Sequence, residues 1–341
     1  MCKEFFTVMM RASWYERTGP AGVVLQIGER AVPDLAAGAV LVRIRASGVN
    51  PSDTKMRAGW RGAAMAFPLV VPHADGAGDI VAVGEGVDPA CVGSRVWVYN
   101  ATALYDASRA FGTAAQYCAL PASQARELPK EVSYLQGACW GVPACTAHRA
   151  VFADGAVAGR TLLVQGGAGC VGHYAIQFAK LGGARVIATV SSAEKAAHAL
   201  SGGADAVVDY TREDVVARVL DLTGQQGVDR IIEVDFGANL GFDVALVRPN
   251  GFIASYSSTA VPEPVFPYYA RAYKGVTLRL VQGFNLPSEA RSAAVQDICR
   301  WSLAGHLQHA IGAVFDLADI ARAHEAVEQR AVIGNVVVRI D

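Results

Sequence analysis

The stretch TLLVQGGAGCVGHYAIQFAK, residues 161–180, constrains this chain more than any other. Mostly apolar residues run into Gly167-x-Gly169-x-x-Gly172 and then into a segment with helical spacing. Glycines at those three places permit a tight turn, close approach of the backbone to a pyrophosphate, and close packing of helix on sheet. The helix start then faces the phosphate charge. A second strand-like segment, RVIATV (185–190), follows at the separation a dinucleotide fold requires. We therefore read Gly167, Ala168, Gly169, Cys170, Val171 and Gly172 as a dinucleotide-binding turn. The uncharged run from Thr161 to Ala179 is long enough to raise the question of a membrane span. Its glycines, Gln165, His173 and Gln177, and its change of pattern midway, make it a buried strand followed by a helix.

Beyond Arg160, apolar runs alternate with helical periodicity. Strand-like segments fall at 161–165, 185–190, 206–209, 229–234, 251–256 and 276–281, with helix-length segments at 170–181, 193–200 and 212–222. Parallel neighbours need helical crossovers, so this half predicts an α/β, doubly wound six-stranded sheet. The first 130 residues read as short β-rich pieces separated by Gly and Pro. A helix over 288–303, a strand over 313–316, a helix over 317–329 and a strand over 336–340 close the chain, and pattern alone assigns them to neither domain.

The side chain at the end of the second strand selects the dinucleotide. An NAD site places Asp or Glu there for the ribose 2′-hydroxyl. Here Thr189-Val190-Ser191-Ser192 stands in that place, with Lys195 following. Hydroxyls and an ammonium accept a 2′-phosphate that a carboxylate would repel, which favours NADPH. Ser191 and Glu194 also have the spacing of a helix capping box.

A formal net charge of -1 gives no electrostatic reason to expect nucleic acid or an anionic membrane as partner. Seven cysteines, odd in number and without a C-x-x-C pair, fit free thiols in a reducing compartment. With no signal-peptide layout at the start, the expectation is a cytoplasmic protein.

The strings SGVNPSDTKMRAG (47–59), GVPACTAHRAVF (141–152), DRIIEVDFGANL (229–240) and DLADIARAHEAVEQRAVIGNVVV (316–338), together with the glycine turn, follow in order along nearly the whole chain. This resembles the zinc-independent, zeta-crystallin-like quinone oxidoreductases of the medium-chain dehydrogenase/reductase superfamily. The resemblance implies a GroES-like β-rich catalytic domain (1–133 and 285–341) and a Rossmann NADPH-binding domain (134–284), with the first nine residues an extension. It implies a homodimer pairing along the sixth strand, and hydride transfer to quinones or α,β-unsaturated carbonyl compounds. Reduction of enoyl thioesters or 2-haloacrylate-type acids, or a non-enzymatic NADPH-binding role of the crystallin or RNA-binding kind, stand as alternatives.

The resemblance places Asn50 and Asp53 beside the nicotinamide as catalytic candidates. Lys55 stands where quinone reductases carry Tyr and enone-reducing relatives often carry Lys, which tilts the expectation toward enones. Tyr210 and Arg330 join Ser191, Ser192 and Lys195 around the 2′-phosphate, while Asn335 replaces a lysine common in the family. Zinc-dependent relatives have Cys, His and Cys near Asn50, Ala74 and Val142, which leaves His73 one position away. One imidazole cannot hold catalytic zinc, so no metal is expected and His73 is read as a loop or cleft histidine. Cys170 is read as a small buried hydrophobe. The loop 99–112 is expected to line the substrate cleft.

Overall fold

The computed structural model describes residues 8–102 and 109–341. Most of the expected N-terminal extension and the middle of the loop 99–112 lie outside the described residues. The chain divides into two compact units, Met1–Val142 with Val295–Asp341, and Pro143–Ala294. The expected breaks after residues 133 and 284 thus move to after 142 and 294. Packing explains the first shift. Ala138 and Cys139 join Ala46 and Val337 in a small apolar cluster, the Tyr134 hydroxyl donates to Asp79 Oδ1, and Gly137 lies so close to Leu128 and Ala77 that a Cβ would collide with them.

In the first unit, Met9–Trp14 and Gln26–Ala31 form an antiparallel pair. Strand β1 (Ala39–Val49) lies at the centre of a seven-stranded sheet, between β2 (Asp75–Val83) and the C-terminal strand Asn335–Arg339, and also pairs with Tyr117–Pro121. Alternate residues of β1, Val40, Val42 and Ile44, enter the core against Val96, Val98, Val336 and Val338, as the period of two in a half-buried strand dictates.

Helix α1 (Pro51–Ala58) follows β1 directly. Proline at its first position costs no hydrogen bond, the Asn50 N–H donates to Asp53 Oδ2 at 2.8 Å, and Gly59 ends it in left-handed backbone (φ 70). The residues it buries are Asp53, Thr54 and Arg57, all polar, so no apolar stripe announces it. The Arg57 guanidinium pairs with Glu328 and donates to the Gly19 carbonyl. That ties α1 to the helix Ile320–Glu328 from the far end of the chain.

The second unit carries β3 (Thr161–Val164), α2 (Cys170–Leu181), β4 (Arg185–Val190), α3 (Ala193–Ser201), β5 (Ala206–Asp209), α4 (Val215–Leu222), β6 (Val228–Glu233), α5 (Phe236–Leu246), β7 (Val247–Ser255), α6 (Tyr268–Ala272) and β8 (Thr277–Leu280). The six strands are all parallel, in the order β5-β4-β3-β6-β7-β8, as the alternating pattern predicts. Leu163, Ile187, Val208, Ile231 and Ile253 build the core between sheet and helices. Strand order reverses between β3 and β6, so the turn after β3 opens at the switch point, where this architecture binds ligands. The uncharged run 161–179 is a strand plus a helix. Among the described residues no helix is long and apolar enough to cross a membrane.

Candidate active and cofactor sites

In the second unit the glycine turn links β3 to α2, as expected. Gly166 takes left-handed backbone (φ 67). A Cβ on Gly172 would lie 2.3 Å from the Gly166 carbonyl oxygen, and one on Gly167 would lie 2.7 Å from the Ala188 Cβ. Only hydrogen fits at either place. Gly169 is the N-cap of α2 and brings no capping side chain, so the backbone at the helix start is open to an anion. A pyrophosphate therefore fits this cradle. Burial pushes the Cys170 thiol up to about 11, which keeps it protonated.

The turn is held from beneath by side chains that sequence reasoning missed. The Gly166 N–H donates to Thr189 Oγ1 (2.9 Å), the Thr189 hydroxyl to Gln165 Oε1 (3.0 Å), and Gln165 Nε2 to Asp243 Oδ1 (3.2 Å). Beside Asp243, Glu233 Oε1 accepts from Asn239 Nδ2 (3.0 Å) and from the Asp235 N–H. The acid Asp243 in the mostly apolar helix FGANLGFDVAL was the available signal.

At the end of β4 no carboxylate appears. Lys195 Nζ donates to Ser191 Oγ at 2.9 Å. Ser192, not Ser191, is the N-cap of α3, its hydroxyl accepting from the Lys195 N–H at 3.2 Å. The expected Ser191–Glu194 capping box is thereby corrected by one residue: Ser191 is instead engaged with the lysine ammonium. Tyr210 follows β5, donates its N–H to the Val190 carbonyl at 3.0 Å, and is exposed. These residues share one end of neighbouring strands. Arg330 belongs to the first unit, in left-handed backbone (φ 53) just after the helix Ile320–Glu328.

In the first unit, Asn50 and Asp53 come together at the start of α1, and both are buried. Their partner is Asp75, another residue missed from sequence. Asp75 Oδ2 accepts from Asn50 Nδ2 (2.8 Å) and from the Val142 N–H (2.7 Å). Asn50 and Val142 thus converge on one carboxylate oxygen of Asp75, while the Ala74 N–H is directed at Asp53. Among the described residues no group of three or more His, Cys, Asp or Glu is spaced to hold a metal ion, so the residues present do not fit a zinc. Burial pushes Asp53 up to about 8, the nearby Asp75 adding to the rise against hydrogen bonds from Asn50 and Ala74. Burial likewise pushes Asp75 up to about 7. Lys55, half-buried, sets its ammonium 4.8 Å from the centre of the Trp60 ring.

His73 lies on a loop as expected, yet it is wholly buried and takes left-handed backbone (φ 76). The Thr113 hydroxyl donates to the Asp75 carbonyl (2.6 Å), so Thr113 accepts from Ser47 (2.7 Å) and Ser47 accepts from His73 Nδ1 (2.8 Å). His73 Nε2 is left to accept from His324 Nε2 at 2.9 Å. This order of donors fixes both tautomers. Burial holds His73 down to about 3 and His324 well below the usual imidazole range. His73 is a neutral core group, and the cleft reading is corrected.

Two family models match the chain, an alcohol dehydrogenase GroES-like domain over residues 36–130 and a zinc-binding dehydrogenase domain over residues 170–299. The quinone oxidoreductase of Homo sapiens is 30% identical over 318 residues, 91% of each chain. The chain belongs to the quinone oxidoreductases of the medium-chain dehydrogenase/reductase superfamily. Within this superfamily, the 2-methylene-furan-3-one reductase of Solanum lycopersicum is 34% identical over 250 residues, covering 71% of this chain and 64% of that one. A mycobacterial protein solved in complex with NADPH superimposes with a TM-score of 0.83 at 29% identity, over 97% of this chain and all of that one.

Proposed function

We propose that this chain is an NADPH-dependent, metal-independent reductase of quinones or α,β-unsaturated carbonyl compounds. The observation that carries the reading is the pairing of a glycine cradle with a Ser191–Lys195 donor pair, 2.9 Å apart, where an NAD enzyme needs a carboxylate. When bound, the nicotinamide supplies the hydride. The backbone of 167–172 grips the pyrophosphate, and Ser191, Ser192 and Lys195 hold the 2′-phosphate, with the exposed Tyr210 phenol as a further contact. Lys55 stabilises the oxyanion that forms as the carbonyl or quinone oxygen takes on charge. Asn50, locked to Asp75, and Asp53 hold the start of α1 and so aim Lys55. Asp53 keeps its proton at neutral pH and adds no competing negative charge.

Relatives named for a quinone and for a methylene-furanone support both substrate classes, and Lys55 favours the enone. None of the six described cysteines is in a disulfide, which supports a reducing, cytoplasmic setting. Leu280, on the edge strand β8, is exposed, and we assign that edge to pairing with a second copy, which sedimentation velocity tests. The activity test is the initial rate of NADPH oxidation, with EDTA present, using an ortho-quinone and a small enone side by side. Turnover of the enone above the quinone is expected. Tight NADPH binding with no turnover of either would falsify the reductase reading.

A further inference from the structure

Glu233 at the end of β6 and Asp243 on α5 are both fully buried. Their carboxyl groups lie within hydrogen-bonding reach of each other. Two of the four carboxyl oxygens of this pair are spoken for. Glu233 Oε1 accepts from the Asp235 N–H and Asn239 Nδ2, and Asp243 Oδ1 accepts from Gln165 Nε2. Glu233 Oε2 and Asp243 Oδ2 remain, buried and with no donor. Two ionised carboxylates this close in a buried site repel strongly, whereas one proton held between the two groups relieves the repulsion and supplies the missing donor.

The polarity of the chain above them is fixed. Gln165 must present its amide nitrogen to Asp243, because its oxygen accepts from Thr189. Thr189 spends its only proton on Gln165, so its lone pair is free for the Gly166 N–H. The Thr189 carbonyl takes the next N–H, that of Gly167, at 2.9 Å. The first two residues of the glycine turn therefore hang on a hydrogen-bonded column whose foot is the acid pair.

We propose that Glu233 and Asp243 hold one proton between them and, through Gln165 and Thr189, set the conformation of the turn that takes the cofactor's pyrophosphate. They are positioning residues, and the proposal rests on the NADPH reading above. Loss of the shared proton drives the two acids apart, pulls Gln165 from Thr189, and loosens the turn, so cofactor affinity falls as pH rises above neutral. The groups facing the pair are Asp235, Arg271 from α6, Tyr256 from the end of β7 and, beyond the tyrosine, Cys170. Arg271 opposes proton retention at Asp243, and Asp235 favours it at Glu233. Burial raises the pair as a whole, Glu233 to about 7 and Asp243 well above the carboxylate range. Burial, then Glu233 and Cys170, raise Tyr256 so far that it stays neutral throughout.

Glu233→Gln and Asp243→Asn test this, because each replaces the shared proton with an amide N–H that cannot be titrated. NADPH dissociation constants are measured on the full chain by fluorescence from about pH 7 to about pH 9.5. The wild type is expected to weaken about tenfold over that range, one pKa unit of linkage, while both variants stay level. Gln165→Leu cuts the column and is expected to weaken binding at every pH and to abolish the slope. A slope in Glu233→Gln and Asp243→Asn parallel to that of the wild type, or no slope in the wild type, overturns the proposal. A Gln165→Leu variant that keeps the slope overturns the relay. Infrared spectroscopy provides a readout that needs no ligand: a protonated-carboxyl stretch present in the wild type and missing from both variants. Were NADPH not to bind at any pH, the cofactor reading would fail by itself, and absence of the carboxyl band would separately sink the shared proton.

Discussion

Both units bury a column of polar side chains, but the columns end on different things. In the second unit the column Glu233–Asp243–Gln165–Thr189 ends on the backbone N–H of Gly166. In the first, His324–His73–Ser47–Thr113 ends on the carbonyl of Asp75, whose side chain holds Asn50. One column shapes a main-chain cradle, and the other steadies side chains. A cradle made by backbone leaves its trace as glycines in a row of nine residues. A side-chain cluster assembled from positions 47, 73, 113 and 324 leaves no local trace.

This contrast sets an order of fragility. The largest effect is expected for Gly172→Ala, where the new Cβ meets the Gly166 carbonyl at 2.3 Å. Overpacking against backbone should cost about 3 kcal/mol and abolish NADPH binding, as thermal melts and fluorescence titration would reveal; an unchanged dissociation constant would mean that the cradle is not the phosphate site. Next comes Lys55→Met, for which kcat should fall roughly a hundredfold while the NADPH dissociation constant holds. If both constants move together, Lys55 serves structure and not the oxyanion.

Lys195→Ala should weaken NADPH about tenfold and leave NADH unaltered; equal losses for the two cofactors would remove Lys195 from the 2′-phosphate. The smallest effect concerns pH. Asp53 and Asp75 have folded values raised to about 8 and about 7, so their contribution to stability is fullest below the ordinary carboxylate range and drains away as pH rises through those values. His73, held down to about 3, has the opposite sign and costs stability only as pH drops below the ordinary imidazole range. Between about pH 6.5 and 8.5 only the acids of this cluster act, and Asp53→Asn should flatten the fall in Tm there by about 1 kcal/mol equivalent. An unaltered slope would show that Asp53 is ionised in the folded protein.

The parallel sheet was legible because each strand is a short apolar run and each crossover a helix, so local pattern and global topology agree. The turn 167–172 and helix Cys170–Leu181 were legible for the same reason. Helix α1 was not, because its buried residues are Asp53, Thr54 and Arg57. Helix α5 hid behind Gly237, Gly241 and the buried Asp243. The candidate site divides likewise. Asn50, Asp53 and Lys55 entered through resemblance, whereas Asp75 went unread because its meaning depends on a donor at position 142. Ser191 and Lys195 were legible as neighbours, but the cap belonged to Ser192, the residue directly before the helix start at Ala193.

The pairing of Val49, Gly48, Ser47 and Ala46 with Val336, Val337, Val338 and Arg339 also has a bearing on how the chain is made. During synthesis, all of Pro143–Ala294 leaves the ribosome before the last strand of the first sheet exists. Residues 46–49 of β1 must wait unpaired on this edge, although 39–43 already pair along it with Tyr117–Pro121, and an open edge invites other chains. The cofactor-binding unit is thus complete while its neighbour is still exposed. Delivery of Val336–Val338, His324 and Glu328 together closes that edge, completes the column behind Asp75 and pairs Arg57 of α1.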